Sequence, residues 1–264
     1  MAFYLHRLVR SLLPAAWDPH RPPALETEPE CIVLEAETAS ALPTVRIYLG
    51  TERGQFRAER VFLWSVRQHR NPARRYEIHL LRELAGFQRG AWLTGFTNYR
   101  FLVPELTGFS GRAIYNDTDQ IYLTDPAELF DQDMGDAGFL SINDRETSVM
   151  LIDCERMAEV WGPEPVRRDS RKALEAAARA RQLWGHLDDA WNARDSEYDP
   201  ARSKVVHFTT LQTQPWRPFP DQFVYLHNPT AALWPDLEDA CTNAGFLPFT
   251  AARPSRLWSA CFAS

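Results

Sequence analysis

Cysteine is scarce and scattered: the 264-residue chain carries four, Cys31, Cys154, Cys241 and Cys261, and no two form a C-x-x-C pair. Neither a zinc ribbon nor a thioredoxin-type motif is present, and free thiols in a reducing cytoplasm are the simpler account. Long apolar runs are missing too. No stretch approaches the roughly 20 apolar residues that span a bilayer, since residues 3–17 are interrupted by Arg7, Arg10 and Pro14. That segment also lacks a convincing signal-peptide cleavage site. Positive charge is not in excess: the net charge of −6 argues against a surface built wholly for nucleic acid, so no nucleic-acid partner is expected.

What remains is an ordinary globular composition, 45% hydrophobic and 24% charged, long enough to bury the core of one large α/β domain with appendages. At the N-terminus Phe3, Leu5, Leu8, Val9, Leu12 and Leu13 stand beside His6, Arg7 and Arg10. This is an amphipathic pattern for a helix packed on its own domain or, alternatively, lying peripherally on a membrane. Five prolines follow between positions 14 and 29, so residues 1–44 read as an N-terminal extension and Pro-rich connector. A catalytic domain is expected over 45–218 and a helical C-terminal extension, packed on it, over 219–264.

The domain opens with the β-branched and aromatic run 45–49, closed by Gly50 and the polar stretch 51–55. Ala58, Val61, Phe62, Ser65 and Val66 then recur at helical spacing, and Asn71-Pro72 stops the helix. A second strand is predicted over 76–81. Strand, helix, strand is a βαβ unit, which places Thr51 and Glu52 at the carboxyl edge of the sheet where ligands bind. Farther on, the strand 112–115 runs into Asn116-Asp117-Thr118-Asp119, extended chain resumes over 121–123, and Asp125-Pro126 starts a helix. A charged, alanine-rich helix is predicted over 169–184. The nine tryptophans are read mostly as core.

Two carboxylates at i and i+2 leaving a strand end suit a divalent cation, Mn²⁺ or Mg²⁺, whose remaining positions accept phosphate oxygens and water. Aspartates two apart also serve as ordinary turn residues. The flanking sequence separates these readings. Residues 99–130, YRFLVPELTGFSGRAIYNDTDQIYLTDPAELF, carry an R-x-L-x-P-E-L type helix, a strand reading I-Y-x-D-x-D and a D-x-x-E-L-F turn in order. This run resembles glycosyltransferase family 8 and related bacterial enzymes.

The resemblance implies a GT-A type α/β domain, a Rossmann-like mixed sheet flanked by helices, with Asp117 and Asp119 on the metal motif. Residues 148–153, SVMLID, resemble the family's sugar-pocket strand in degenerate form, with Glu146 and Thr147 where Asn and Ser are expected and the glycine lost. Val205-Val206-His207-Phe208 followed by Gln214-Pro215-Trp216 resembles the terminal H-F-x-G-x-x-K-P-W signature, which makes His207 the third metal ligand. Here Pro215 lies one residue farther from His207, and Gln214 replaces the lysine that contacts the diphosphate. Arg100 and Arg217 are the candidates for the missing cation; Arg100 would contact donor phosphate or orient an aspartate, with a solvated helix arginine as its plain alternative. Asp188 and Asp189 fall in the acidic segment that meets the sugar, with a solvated helix end as their plain alternative.

What the resemblance implies is a metal-dependent, retaining transfer from a nucleotide-diphosphate sugar, UDP-linked by default, to a carbohydrate, glycolipid or protein acceptor. The base and ribose are expected near Thr51 and Glu52. A metal-dependent hydrolase using the same aspartates, and a catalytically inactive sugar- or nucleotide-binding module, remain as alternatives.

Overall fold

The computed structural model describes residues 28–85, 87, 96–143, 145–228, 230, 232–250 and 255. The amphipathic N-terminal segment, and with it the expected membrane contact, lies outside the described residues, as does Cys261. Among the described residues no helix is long and apolar enough to cross a membrane.

Seven strands, numbered along the chain, form the main sheet: β1 (Glu30–Leu34), β2 (Val45–Gly50), β3 (Tyr76–Leu81), β4 (Arg112–Asp117), β6 (Phe139–Ser141), β7 (Val149–Asp153) and β8 (Trp184–His186). Their order is β1-β3-β2-β4-β7-β6-β8, with β3, β2 and β4 parallel and β1 and β7 antiparallel to their neighbours. A second sheet, in the order β5-β10-β9, joins β5 (Gln120–Tyr122), β9 (Ala193–Arg194) and β10 (Val205–His207). The expected mixed sheet flanked by helices is therefore present. The expected βαβ unit is β2, helix α1 (Phe56–His69) and β3.

Because both faces of the main sheet are covered, its central strands read as nearly continuous apolar runs rather than alternating ones. On one face Phe62, Leu63 and Val66 of α1 pack over Ile47, Ile78, Ile114 and Leu151. On the other, Phe101, Trp161 and Ala178 cover Tyr48, Tyr115 and Met150. The tryptophan expectation holds for Trp64, Trp161, Trp191, Trp216 and Trp234, all buried.

Two expected boundaries move. The sheet begins before Val45: residues 30–34 form its edge strand, paired with β3 from Glu30↔Leu80 to Leu34↔Tyr76. Arg82 fixes this edge, donating to the fully buried Glu59 at 2.6 Å and to Glu30. The alanine-rich helix is also shorter than 169–184. It runs as α2 over Arg171–Ala180, capped by Ser170, and stops where Gln182 adopts a left-handed φ of 57°, which frees Trp184 for β8.

In the C-terminal extension, helix α3 (Leu233–Asn243) lies against α1. Trp234 is 2% exposed, its ring 5.3 Å from that of Trp216 and beneath the guanidinium of Arg57, which also pairs with Glu238. Truncating such a ring leaves a large cavity between two elements. Trp234→Ala is expected to lower stability by about 3–5 kcal/mol in urea denaturation; a loss below about 1 kcal/mol would show that the extension does not belong to the cooperative unit.

Candidate metal and donor site

The chain changes sheets within the acidic motif. β4 ends at Asp117 in the main sheet, Thr118 and Asp119 make the turn, and β5 begins at Gln120 in the small sheet. The partner strands have matching ends: His207 closes β10 opposite Gln120, and β9 starts immediately after Asn192, with Arg194 opposite His207. Phe208 N donates to Asp119 O at 2.9 Å and Thr118 N to Gly50 O at 3.0 Å, tying both sheets to the turn. This register brings one ligand atom each from Asp117, Asp119 and His207 within 4.8 Å of one another.

Each ligand is oriented by neighbours. Arg100 Nη2 donates to both Asp117 oxygens at 3.0 and 3.1 Å, and the Tyr115 hydroxyl adds a bond of 2.6 Å to Oδ1. Gly50 lies under that tyrosine, where a Cβ would overlap the hydroxyl and the Phe96 ring. Asp119 Oδ2 accepts from Gln214 Nε2 at 3.1 Å. Asn192 Nδ2 donates to Ser148 Oγ, which fixes Oδ1 as the atom 2.9 Å from His207 Nδ1. In the neutral ring the proton therefore sits on Nδ1 and the Nε2 lone pair faces the carboxylates, as a metal-ligating histidine requires.

The charges call for a cation. Burial pushes the Asp117 carboxyl above its ordinary range, Arg100 works against this, and the like charge of Asp119 adds to it. Burial alone would depress His207, but the Asp119 carboxylate, with Glu146 and Asp117, outweighs it and pushes the imidazole up to about 9. Asp119 Oδ1 is buried and faces His207 Nε2 at 3.1 Å, the position a cation between them would occupy or replace. Two carboxylates and an imidazole nitrogen converging at this spacing fit a divalent cation of the Mn²⁺ or Mg²⁺ kind. A cation there would take over the compensation that protonated His207 otherwise supplies.

The remaining expected residues fall into distinct places. Thr51 and Glu52 are buried beyond β2, whose Gly50 is in register with Asp117, so both lie on the metal rim; Thr51 Oγ1 has no hydrogen-bond partner among the described residues. Arg100 is buried and committed to Asp117, Thr147 and the Thr97 carbonyl, which matches aspartate orientation rather than phosphate contact. Gln214 is likewise turned onto Asp119 and the Phe208 carbonyl. Arg217 is exposed in a left-handed turn, φ 49°, after Trp216.

Asp188 caps the turn Asp189–Asn192 through Ala190 N at 2.8 Å and pairs with Arg202, its side chain 62% exposed. Asp189 lines a cavity of about 440 Å³ that Glu146, Asn192, Ala193 and Arg194 also border. It is Asn192, three residues beyond, that reaches the metal cluster. Tyr115 and Ser148 lie inside the quoted motifs and Asn192 follows the Asp188-Asp189 segment, but only strand register shows that they touch the ligands.

No protein-family model matches the chain, and no curated protein matches it. Solved structures do. The galactosyltransferase LgtC, solved with donor and acceptor sugar analogs, superposes with a TM-score of 0.53 at 14% identity, over 74% of this chain and 96% of LgtC. The bifunctional glycosyltransferase WbbM gives 0.54 at 10% identity, over 76% of this chain and 53% of its own. GlyE of Streptococcus pneumoniae TIGR4 gives 0.50 at 14%, over 77% and 63%. The chain has the fold of the GT-A glycosyltransferases.

Outer-shell partners of a ligating histidine typically carry one to two orders of magnitude in metal affinity. Asn192→Ala is expected to weaken Mn²⁺ binding by roughly 10–100-fold in calorimetric titration while the circular dichroism spectrum is kept. Unchanged affinity would mean that His207 does not ligate through Nε2.

Proposed function

We propose that this chain is a divalent-metal-dependent glycosyltransferase that takes a sugar from a nucleotide-diphosphate donor, UDP-linked by default, and passes it to a carbohydrate, glycolipid or protein acceptor. The observation that carries this reading is the convergence of Asp117, Asp119 and His207 at the rim of a GT-A sheet. The adjoining cavity supports it, since about 440 Å³ falls within the range of small-ligand sites.

Bound there, Mn²⁺ or Mg²⁺ supplies Lewis acidity that neutralises charge growing on a departing nucleoside diphosphate. The chain's own residues do the rest. Arg100 and Tyr115 hold Asp117, Gln214 holds Asp119, and Asn192 holds His207, so the ligands are preorganised. Thr51 and Glu52 supply polar atoms on the same rim for base and ribose. Arg217 is the cation on the exposed side that we assign to the diphosphate in place of the lysine. Asp189 faces the sugar from the cavity wall.

Retention of anomeric configuration follows from the family 8 resemblance, with the acceptor attacking the face the diphosphate leaves. Inverted product in an NMR time course would remove it.

The direct assay is UDP release from UDP-hexoses with Mn²⁺ and an acceptor panel. Release is expected to depend on metal and to fall on the order of 10³-fold in Asp119→Asn, since the electrostatic stabilisation goes with the ligand. Release that no acceptor accelerates would favour the hydrolase. Metal-dependent nucleotide binding without turnover of any donor would favour the inactive module.

A further inference from the structure

The cavity beside the metal cluster has a lopsided charge. Its lining holds four carboxylates, Glu146, Asp189, Glu197 and Asp199, against two guanidiniums, Arg194 and Arg202. Both guanidiniums are already committed. Arg194 grips Glu197 through two bonds of 2.7 and 3.1 Å, and Arg202 reaches Asp188 at 3.1 Å. Glu146 is the fixed member of the acidic set: its Oε1 accepts from Ser148 N at 2.9 Å, just before β7. Burial works against its charge, but His207, the Ser148 contacts and Arg100 hold its carboxyl below the usual range. Buried Asn192 borders this cavity and contacts His207 Nδ1, so one side chain separates the cavity from the ligating histidine.

We infer that this cavity receives an uncharged or amine-bearing sugar and turns away one that carries a carboxylate, sulfate or phosphate. The inference rests on the proposed sugar transfer and narrows its substrate class. An anionic sugar meets Glu146 and Asp189 as like charges. Taking Arg194 from Glu197 only frees another carboxylate in the same lining, and taking Arg202 from Asp188 breaks an existing ion pair. Hydroxyls and ammonium groups, by contrast, donate to the same oxygens. Discrimination of this kind comes from repulsion of the wrong partner as much as from attraction of the right one.

The test reads the cavity directly. In ¹⁵N NMR titrations of the full chain, methyl glucoside, methyl galactoside and glucosamine are expected to shift the backbone amides of Ala190, Asn192 and Ala193. The matching methyl hexuronides are expected to bind on the order of tenfold more weakly, and Glu146→Gln and Asp189→Asn to narrow that gap. Asp189 is exposed, so its variant does not threaten the fold. Hexuronides that bind as tightly as the neutral glycosides would overturn the inference. So would amides that no sugar of either charge moves, or a gap that neither variant changes. UDP with diamagnetic Mg²⁺ is titrated separately and read at Thr51 and Thr118. Failure there removes the nucleotide-donor reading without touching the sugar result.

Discussion

Asp117 and Asp119 sit two residues apart in a largely buried turn, and two carboxylates in such a place repel each other unless positive charge is held close. Much of the surrounding architecture answers that repulsion. Arg100 is buried against Asp117, His207 stands 3.1 Å from Asp119, and Gln214 turns its amide onto the remaining oxygen. These groups come from a helical turn before β4, the end of β10 and the loop beyond it. The fold must therefore bring distant segments to one rim, and both sheets end there.

The two-sheet junction explains why the motif has its spacing. A strand ending at Asp117 and another beginning at Gln120 leave two residues for the change of direction. Thr118 is buried with its N–H on Gly50, so it serves the backbone, while the flanking aspartates are free to face the ligand space. The same junction is packed by Asn116, Gln120 and Tyr122, whose side chains satisfy one another at 2.8 Å. A buried polar network completed in this way holds one arrangement of the turn.

The local periodicities were legible. Helix α1 and strand β3 follow from apolar spacing, because both bury one stripe or two faces against a single core. Strand β1 was not, since an antiparallel edge strand after a proline-rich stretch is defined by its partner β3 rather than by its own pattern. Likewise the three ligands were visible as residue types at motif positions, but the supporting shell was not. Gln214 looked like a substitute for a phosphate-binding lysine, yet its amide is spent on Asp119. The charge of Asp188 and Asp189 drew attention in the sequence, whereas the neutral Asn192 reaches His207. Whether a side chain in a three-residue turn faces solvent or ligand depends on β9–β10 register, which composition does not encode.

The central claim is that the cluster holds a cation and the cation holds a nucleotide diphosphate. Calorimetric titration of UDP into the full chain, with and without Mn²⁺, tests it most directly. The account predicts binding that requires the metal; UDP that binds equally well without Mn²⁺, or does not bind at all to the folded protein with it, would contradict the account.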